Sequence, residues 1–312
     1  MKNKNVLITG GSGFIGSNLA QALSAENQVK VIDDLSTGHF KNIRDLVDAK
    51  KIEFIEGSVT DLDLLQNVLK NVDYVFHQAA IPSVPRSIKD PLRSNNVNIN
   101  GTLNVLIAAK DNGVKKVMYA SSSSAYGDTP TLPKKEDMLL RPLSPYAVSK
   151  LAGEYYCRVF NIVYSLSTVA IRYFNVYGPR QDPSGDYAAV IPKFICNVLQ
   201  GKSPVIYGDG EQTRDFTFVK DVVQGNILAA ESKVTGVFNV AGGKRVSINE
   251  LAQLIMEICD KHLDLIYGDP LIGDVKHSLA DISKAKEKFG YEPKFNLSEG
   301  LKETVKWFQE KT

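Results

Sequence analysis

Short apolar runs rich in β-branched residues recur through the first part of the chain: NVLIT at 5–9, VKVID at 29–33, IEFIE at 52–56, YVFHQ at 74–78, KVMYA at 116–120 and STVAIR at 167–172. Such runs fit strands of a parallel sheet covered on both faces. Between them, DLDLLQNVLKNV and NGTLNVLIAAKDNG carry apolar residues at helical spacing, and the second stops at Gly113, as a helix-closing glycine should. This alternation predicts βαβ units and an α/β fold built on a doubly wound parallel sheet. After about residue 173 the rhythm changes. YGPRQDPSGDY and YGDGEQTRDF are rich in Gly, Pro and Asp, and longer irregular pieces separate the helices. The pattern predicts a sheet domain over 1–173 and a smaller α/β domain over 174–312. GVFNVAGG at 236–243 again reads as a buried strand, so the second part is expected to return a strand to the first.

Composition narrows the partners. The 312 residues are 43% hydrophobic, enough for a substantial core, and 37 basic against 35 acidic residues leave a formal charge of +2. That balance gives no reason to expect nucleic acid or a membrane surface as partner, so any anionic ligand must be caught locally. Cys157, Cys196 and Cys259 lie far apart with no C-x-x-C pair, which argues against a disulfide framework and a zinc site and fits a reducing cytoplasm. No metal is expected: His39, His262 and His277 show no ligand spacing, and His77, inside a predicted strand, reads as a satisfied core residue. The apolar run near the N-terminus is too short for a signal-peptide core. PKKED at 133–137 reads as a solvated loop.

Three stretches carry candidate chemistry. The first predicted strand runs into G10-G11-S12-G13-F14-I15-G16, a glycine-rich turn opening a helix. Glycines there let the backbone approach a pyrophosphate, and the helix N-terminus offers free N–H groups. A ligand-free strand–helix turn is the bland alternative, weakened by Asp33 at the end of the second strand, where a carboxylate accepts from adenosine ribose hydroxyls and repels a 2′-phosphate. NAD is therefore favoured over NADP, and the sheet reads as a Rossmann fold. Next, Tyr146 and Lys150 fall one helical turn apart, so an ammonium stands near a phenol. With an ordinary pKa of about 10, a phenol acts as a base near neutrality only with positive charge around it. Simple surface packing is the competing account of that pair. Finally, SSSSAYGD at 121–128 is either a polar linker or the floor of a site; following the fifth predicted strand, it lies where doubly wound sheets hold ligands.

Together, TGGSGFIG, Asp33, SSSSAYGD, YAVSK, RYFNVYGPR at 172–180 and TRDF at 213–216 resemble the extended short-chain dehydrogenase/reductase superfamily, and within it the nucleotide-sugar 4-epimerases of the UDP-galactose 4-epimerase type. The resemblance covers nearly the whole chain. QAAIPSVPRS at 78–87 and DYAAVIPKF at 186–194 are similar to the branch acting on UDP-N-acetylhexosamines and their uronates. The resemblance implies Tyr146 as catalytic base, Lys150 as its electrostatic partner and a ligand of the nicotinamide ribose, and Ser122 as an aid to proton transfer. It implies NAD held by Gly10, Gly13, Phe14, Ile15 and Gly16 at the pyrophosphate and by Asp33, Asp34, Ser36, Thr37 and Gly38 at the adenosine ribose. Ser58, Val59, Gln78, Ala79, Ala80 and Asn98 would line the rest of the cofactor, with Tyr173 and Phe174 closing the nicotinamide side. For a UDP-sugar it implies Ser83, Arg86, Ser123, Ser124, Asn175, Ala189, Val190, Tyr207, Arg214 and Asp274. Ser278, small where relatives can carry a bulky aromatic, would admit a 2-acetamido group.

Two departures accompany the resemblance. Ser58 replaces a carboxylate expected at the adenine, and Leu271 replaces an arginine expected near the diphosphate, for which Lys193, Arg86 or Lys276 would have to compensate. The expected activity is C4 epimerisation of UDP-GlcNAc/UDP-GalNAc and UDP-Glc/UDP-Gal, in a homodimer paired through helices near 94–112 and 145–164, with Leu151, Tyr155 and Val159 supplying an apolar stripe. A dehydratase would need an Asp-Glu pair after Ser122, and a decarboxylase a Glu in the same tract; serines stand there instead. A UDP-uronate 4-epimerase stays open as an alternative, as does a non-catalytic NAD-binding regulator, which could dispense with the Tyr-Lys pair.

Overall fold

A computed structural model of the protein describes residues 1–184, 189–270 and 276–311. The apolar runs form six parallel strands: β1 (Asn5–Thr9), β2 (Gln28–Asp33), β3 (Ile52–Glu56), β4 (Tyr74–His77), β5 (Lys116–Ser122) and β6 (Thr168–Tyr173). The segment Gly236–Val240 adds a seventh, parallel to β6 at the sheet edge. Across the sheet the order is Gly236–Val240, β6, β5, β4, β1, β2, β3. The chain thus builds outward from β1 on one side and then returns to β4 on the other, which opens a crevice beyond the carboxyl ends of β1 and β4. Gly10 and Gln78 stand at those two ends.

Both faces are covered, as unalternating strands demand. Leu7, Val75 and Val117 face helices Gly101–Asp111 and Pro145–Tyr164 through Val105, Leu106, Cys157 and Phe160. Val6, Ile8, Phe76 and Met118 face helices Phe14–Leu23 and Val219–Glu231 through Leu19, Leu23, Val223 and Ala230. Most of the remainder gathers on a separate cluster that includes Tyr177, Phe194, Ile206, Phe218, Leu251 and Phe308. Short strand pairs stiffen it: Val176–Tyr177 with Thr217–Phe218, Thr213–Asp215 with Arg245–Ser247, and Val205–Tyr207 with Ile266–Gly268.

Local chemistry sets the element ends that matter for function. Ser144 caps helix Pro145–Tyr164, its hydroxyl accepting from Ala147 N at 3.1 Å, and Pro145 takes the first helical position, where it has no N–H to leave unpaired. Tyr146 therefore stands at the start of the helix and Lys150 one turn in. Gly113, at φ 68°, closes helix Gly101–Asp111 after Asn112.

Two expectations are corrected. Strand β5 does not stop at Ala120 but runs on to Ser122, and Ser121 and Ser122 pair in register with Arg172 and Tyr173. Nor is 133–137 a solvated loop. Lys135 and Asp137 are exposed, but Lys134 is 3% exposed, its N–H donating to Leu279 O at 2.7 Å and its carbonyl accepting from Asp281 N at 2.9 Å. Glu136 accepts from Asn239 N at 2.8 Å. Pairing with a segment far along the chain satisfies the polar backbone and hides residues whose composition signals solvent.

Candidate active site

The glycine turn is built for close approach. A Cβ on Gly10 would lie 2.7 Å from Ala79 Cα, and one on Gly16 would lie 2.2 Å from Gly10 O, so strand, turn and helix close up only with glycine there. Gly13 opens helix Phe14–Leu23 with no side-chain cap, leaving the first-turn N–H groups to an anion. Asp33 closes the turn from beside it: Oδ2 accepts from Ser12 N and Oδ1 from Leu35 N, each at 2.9 Å. Burial pushes its carboxyl above the usual range, and these backbone N–H groups oppose the shift.

A cavity of about 370 Å³ lies over this turn. Every residue expected at the cofactor lines it except Asn98 and Phe174. Asn98 is a correction: its amide is taken by the protein, accepting from Ile81 N at 2.8 Å and donating to Ile81 O and Ser149 Oγ, so it braces the cavity wall from behind. Phe174, fully buried against Tyr126, borders the neighbouring cavity instead. Arg86, expected at the sugar, lines the cofactor cavity. Arg180, Gln181 and Asp182 also line it, with His39 Nε2 3.0 Å from Asp182 Oδ2 at its edge. Their Gly- and Pro-rich segment carries no periodic signal that could have placed them.

Tyr146 borders this cavity and a second one, whose wall includes Ser83, Ser121–Ser124, Asn175, Arg214 and Ser278. The Ser122 hydroxyl faces the Tyr146 phenol. Lys150 Nζ donates to Ala120 O at 2.9 Å and sits 5.8 Å from the Tyr146 ring centroid and 5.3 Å from that of Tyr119. Burial brings Lys150 down to about 8 and pushes the phenol up, the latter opposed by Ser122. Each charge is costly alone in this dry place, and phenolate and ammonium relieve one another when both form. His77 is a core residue as expected, bonded to Thr9 Oγ1 at 2.7 Å and Thr102 Oγ1 at 2.9 Å, and burial drives it to about 3, where it stays neutral.

A third cavity, lined by Asn175, Ala189, Val190, Tyr207 and Arg214, adds Phe194, Gln212 and Phe216 to the expected set. Asn175 and Arg214 border both this cavity and the second, so the two adjoin. Arg214 Nη1 donates to Thr213 O at 3.1 Å and Lys276 O at 3.2 Å, which fixes the guanidinium at the junction. Ser83 and Ser124 hydroxyls are buried at the second cavity without a protein hydrogen-bond partner, and Ser83 holds φ 86°. Lys134 and His277 join the same wall, unforeseen because the segments bearing them have a polar, loop-like composition. Asp274 and Leu271 lie outside the described residues. Among the described residues no group of His, Cys, Asp and Glu could hold a metal ion, and no helix is long and apolar enough to cross a membrane.

Comparison with known proteins places this geometry in company. Residues 6–241 match the epimerase family described as the NAD dependent epimerase/dehydratase family. The chain is similar over its full length and that of its counterpart to the UDP-N-acetylglucosamine 4-epimerase of Methanobrevibacter ruminantium M1, solved in complex with UDP-N-acetylmuramic acid, at 48% identity and a TM-score of 0.97. It is 40% identical to the UDP-glucose 4-epimerase of Thermotoga maritima, solved with UDP-glucose, covering 98% of this chain and 99% of that one at a TM-score of 0.94. A UDP-glucose 4-epimerase of Mycolicibacterium smegmatis is 39% identical over 310 residues, 98% of this chain and 99% of the relative.

Proposed function

Because the chain belongs to the NAD dependent epimerase/dehydratase family, we propose that it inverts C4 of UDP-linked hexoses, UDP-GlcNAc/UDP-GalNAc together with UDP-Glc/UDP-Gal. The observation that carries this reading is Tyr146, which stands between the glycine-rich cavity and the serine-lined one with Ser122 facing its phenol and Lys150 beneath it. The Gly10–Gly16 turn, Asp33 and Lys150 suit NAD, and a closely packed turn without side chains is what a pyrophosphate needs. Held there, NAD would supply a reversible hydride acceptor for C4, with no net consumption of cofactor.

This chain's own residues manage the proton. Tyr146, as phenolate, takes the C4 hydroxyl proton, with Ser122 hydrogen-bonded to the same oxygen, while Lys150 stabilises the phenolate. The resulting 4-keto sugar turns within the serine-lined cavity so that its other face is offered for hydride return to C4, and Tyr146 gives the proton back to the C4 oxygen. Arg214 and Asn175, at the junction of the second and third cavities, suit the diphosphate and uridine, which stay fixed while the sugar turns. Ser123 and Ser124 supply hydroxyls rather than the carboxylates that elimination or decarboxylation needs. On this reading 1–173 with the returning strand holds the cofactor and 174–312 the nucleotide sugar. We further propose a homodimer acting in the cytoplasm, a setting in which the three unpaired cysteines stay reduced.

Incubating the purified protein, without added cofactor, with UDP-GlcNAc and with UDP-Glc, and following C4 configuration by NMR, tests the activity. Interconversion of each with its 4-epimer is expected. Loss of water or of carbon dioxide, or no change with NAD supplied, would overturn the reading.

A further inference from the structure

In the first turn of helix Pro145–Tyr164 one N–H group finds its partner outside the helix. Pro145 has no N–H, Ala147 N donates to Ser144 Oγ at 3.1 Å, and Val148 N donates to Ser144 O at 3.0 Å. Tyr146 N donates instead, at 3.0 Å, to the hydroxyl of Ser87, a fully buried residue of helix Val84–Lys89. That hydroxyl gives its own proton to Val84 O at 2.7 Å. A hydroxyl has one proton, so the direction of both bonds is fixed and Ser87 is left as the acceptor for Tyr146.

The carbonyl side of Tyr146 is tied as well. Tyr146 O accepts from Ser149 Oγ at 2.8 Å, and Ser149 Oγ accepts from Asn98 Nδ2 at 3.0 Å. Asn98 in turn pairs with Ile81, accepting from N at 2.8 Å and donating to O at 3.2 Å. Both ties therefore run from Tyr146 to one segment, 81–87. This segment meets both ligand cavities: Ile81, Pro82 and Arg86 line the cofactor cavity, Val84 lines the serine-lined one, and Ser83 lines both. The backbone there is held against its preference, because Ser83 at φ 86° occupies a region costly for any residue with a side chain. Its hydroxyl is nevertheless left to the cavity, buried without a protein partner.

We infer that Ser87 is a positioning residue for the chemistry at Tyr146: it ties the phenol to the segment that meets cofactor and sugar, so that the seating of the ligands and the aim of the proton acceptor are set together. The inference rests on the reading of Tyr146 as the base and deepens it. Ser87 lines neither cavity and acts only through the Tyr146 N–H. Without that acceptor the first turn shifts to satisfy the N–H elsewhere, and the phenol leaves its place opposite Ser122 and above Lys150.

Two measurements test this. One is steady-state kinetics with UDP-GlcNAc and UDP-Glc. The other is NMR of the NAD-loaded protein isotope-labelled at tyrosine Cζ, in which the Tyr146 signal is the one missing from Tyr146→Phe. In Ser87→Ala, kcat is expected to fall roughly 10- to 100-fold, as misplacement of a reacting group costs, with KM and NAD content within about twofold of wild type. With Ser122 no longer supporting the anion, the phenol should titrate at higher pH, and the rise of turnover with pH should move the same way. In a Ser122→Ala background the same substitution should cost less, because the two residues act on one phenol. Ser87→Cys fills the same space with a weaker acceptor; it should fall between and serves where Ser87→Ala fails to fold. An unchanged kcat with an unchanged phenol titration overturns the inference. So does a loss confined to KM, NAD content or the unfolding midpoint, which would make Ser87 a brace of the fold. The phenol is read without turnover, so failure of the epimerase reading would show separately, as a wild-type protein that inverts C4 in neither sugar while its Tyr146 signal still responds to Ser87→Ala.

Discussion

Lys150 and Tyr146 are displaced in opposite directions by one cause, removal from water. The Lys150 value of about 8 in the fold lies below its ordinary 10.5. Between those values the unfolded chain binds the extra proton, so stability rises as pH climbs from about 8 towards 10.5, and the full cost of the buried charge is present below 8. Lys150→Met should therefore stabilise the protein at pH 7 by about 1–3 kcal/mol while removing most of its turnover, and the difference in stability should shrink by pH 10. Denaturant titrations at the two pH values check this; equal stability at pH 7 would mean that the ammonium is hydrated after all. Tyr146→Phe keeps the ring and its packing but loses the proton site, and turnover is expected to fall by at least roughly a hundredfold with UDP affinity retained. Ser278, on the wall of the second cavity with its N–H bonded to Thr213 O at 3.0 Å, is the small residue expected to admit a 2-acetamido group. Ser278→Tyr should abolish epimerisation of UDP-GlcNAc and spare UDP-Glc; equal slowing of both would remove its role as a gate.

At the scale of elements, helix Pro145–Tyr164 is tied to the sheet by a buried ion pair. Glu154, one turn beyond Lys150, accepts from Arg172 Nε at 2.8 Å, from Arg172 Nη2 at 2.7 Å and from Ser121 Oγ at 2.5 Å. Arg172 and Ser121 immediately precede Tyr173 and Ser122, so one carboxylate holds the helix bearing Tyr146 and Lys150 against both strand ends of the site. The Arg172 guanidinium also lies 4.6 Å from the Tyr126 ring centroid. Glu154→Ala would leave the buried guanidinium without its counter-ion, and a loss of about 3–5 kcal/mol in denaturant titration is expected. Glu154→Gln, which keeps acceptor and shape, should lose less. The helix itself was legible from its periodicity and from Ser144 and Pro145 at its start. The ion pair was not, because Glu154 and Arg172 meet only across the helix–sheet interface.

For the whole molecule, the outer face of the same helix is apolar. Val148, Tyr155, Val159, Ile162 and Val163 are 46–67% exposed, and Leu92, on the neighbouring helix Pro91–Asn95, is 82% exposed. A contiguous apolar face of this kind marks an interaction surface, and one helix face pairing with its own copy gives a two-fold dimer. Val159→Glu combined with Ile162→Lys is expected to convert a dimer to a monomer in sedimentation while leaving the thermal unfolding of each subunit cooperative. A wild-type protein sedimenting as a monomer would contradict the pairing.

The sequence by itself determined what depends on neighbours along the chain. Strand and helix positions follow from apolar periodicity. The Gly10–Gly16 turn follows from glycine's lack of a side chain, and the Tyr146–Lys150 pair from the helical repeat. Tertiary structure decided what depends on residues distant in the chain. It placed β4 beside β1 and so opened the crevice, took up the Asn98 amide behind the wall, and set Phe174 at the second cavity. It also buried Lys134 against Leu279 and Asp281 although the PKKED run signals solvent. Charge and polarity report whether a residue prefers water; whether that preference is met, or replaced by a backbone pairing and a cavity, is settled only when distant segments close over it.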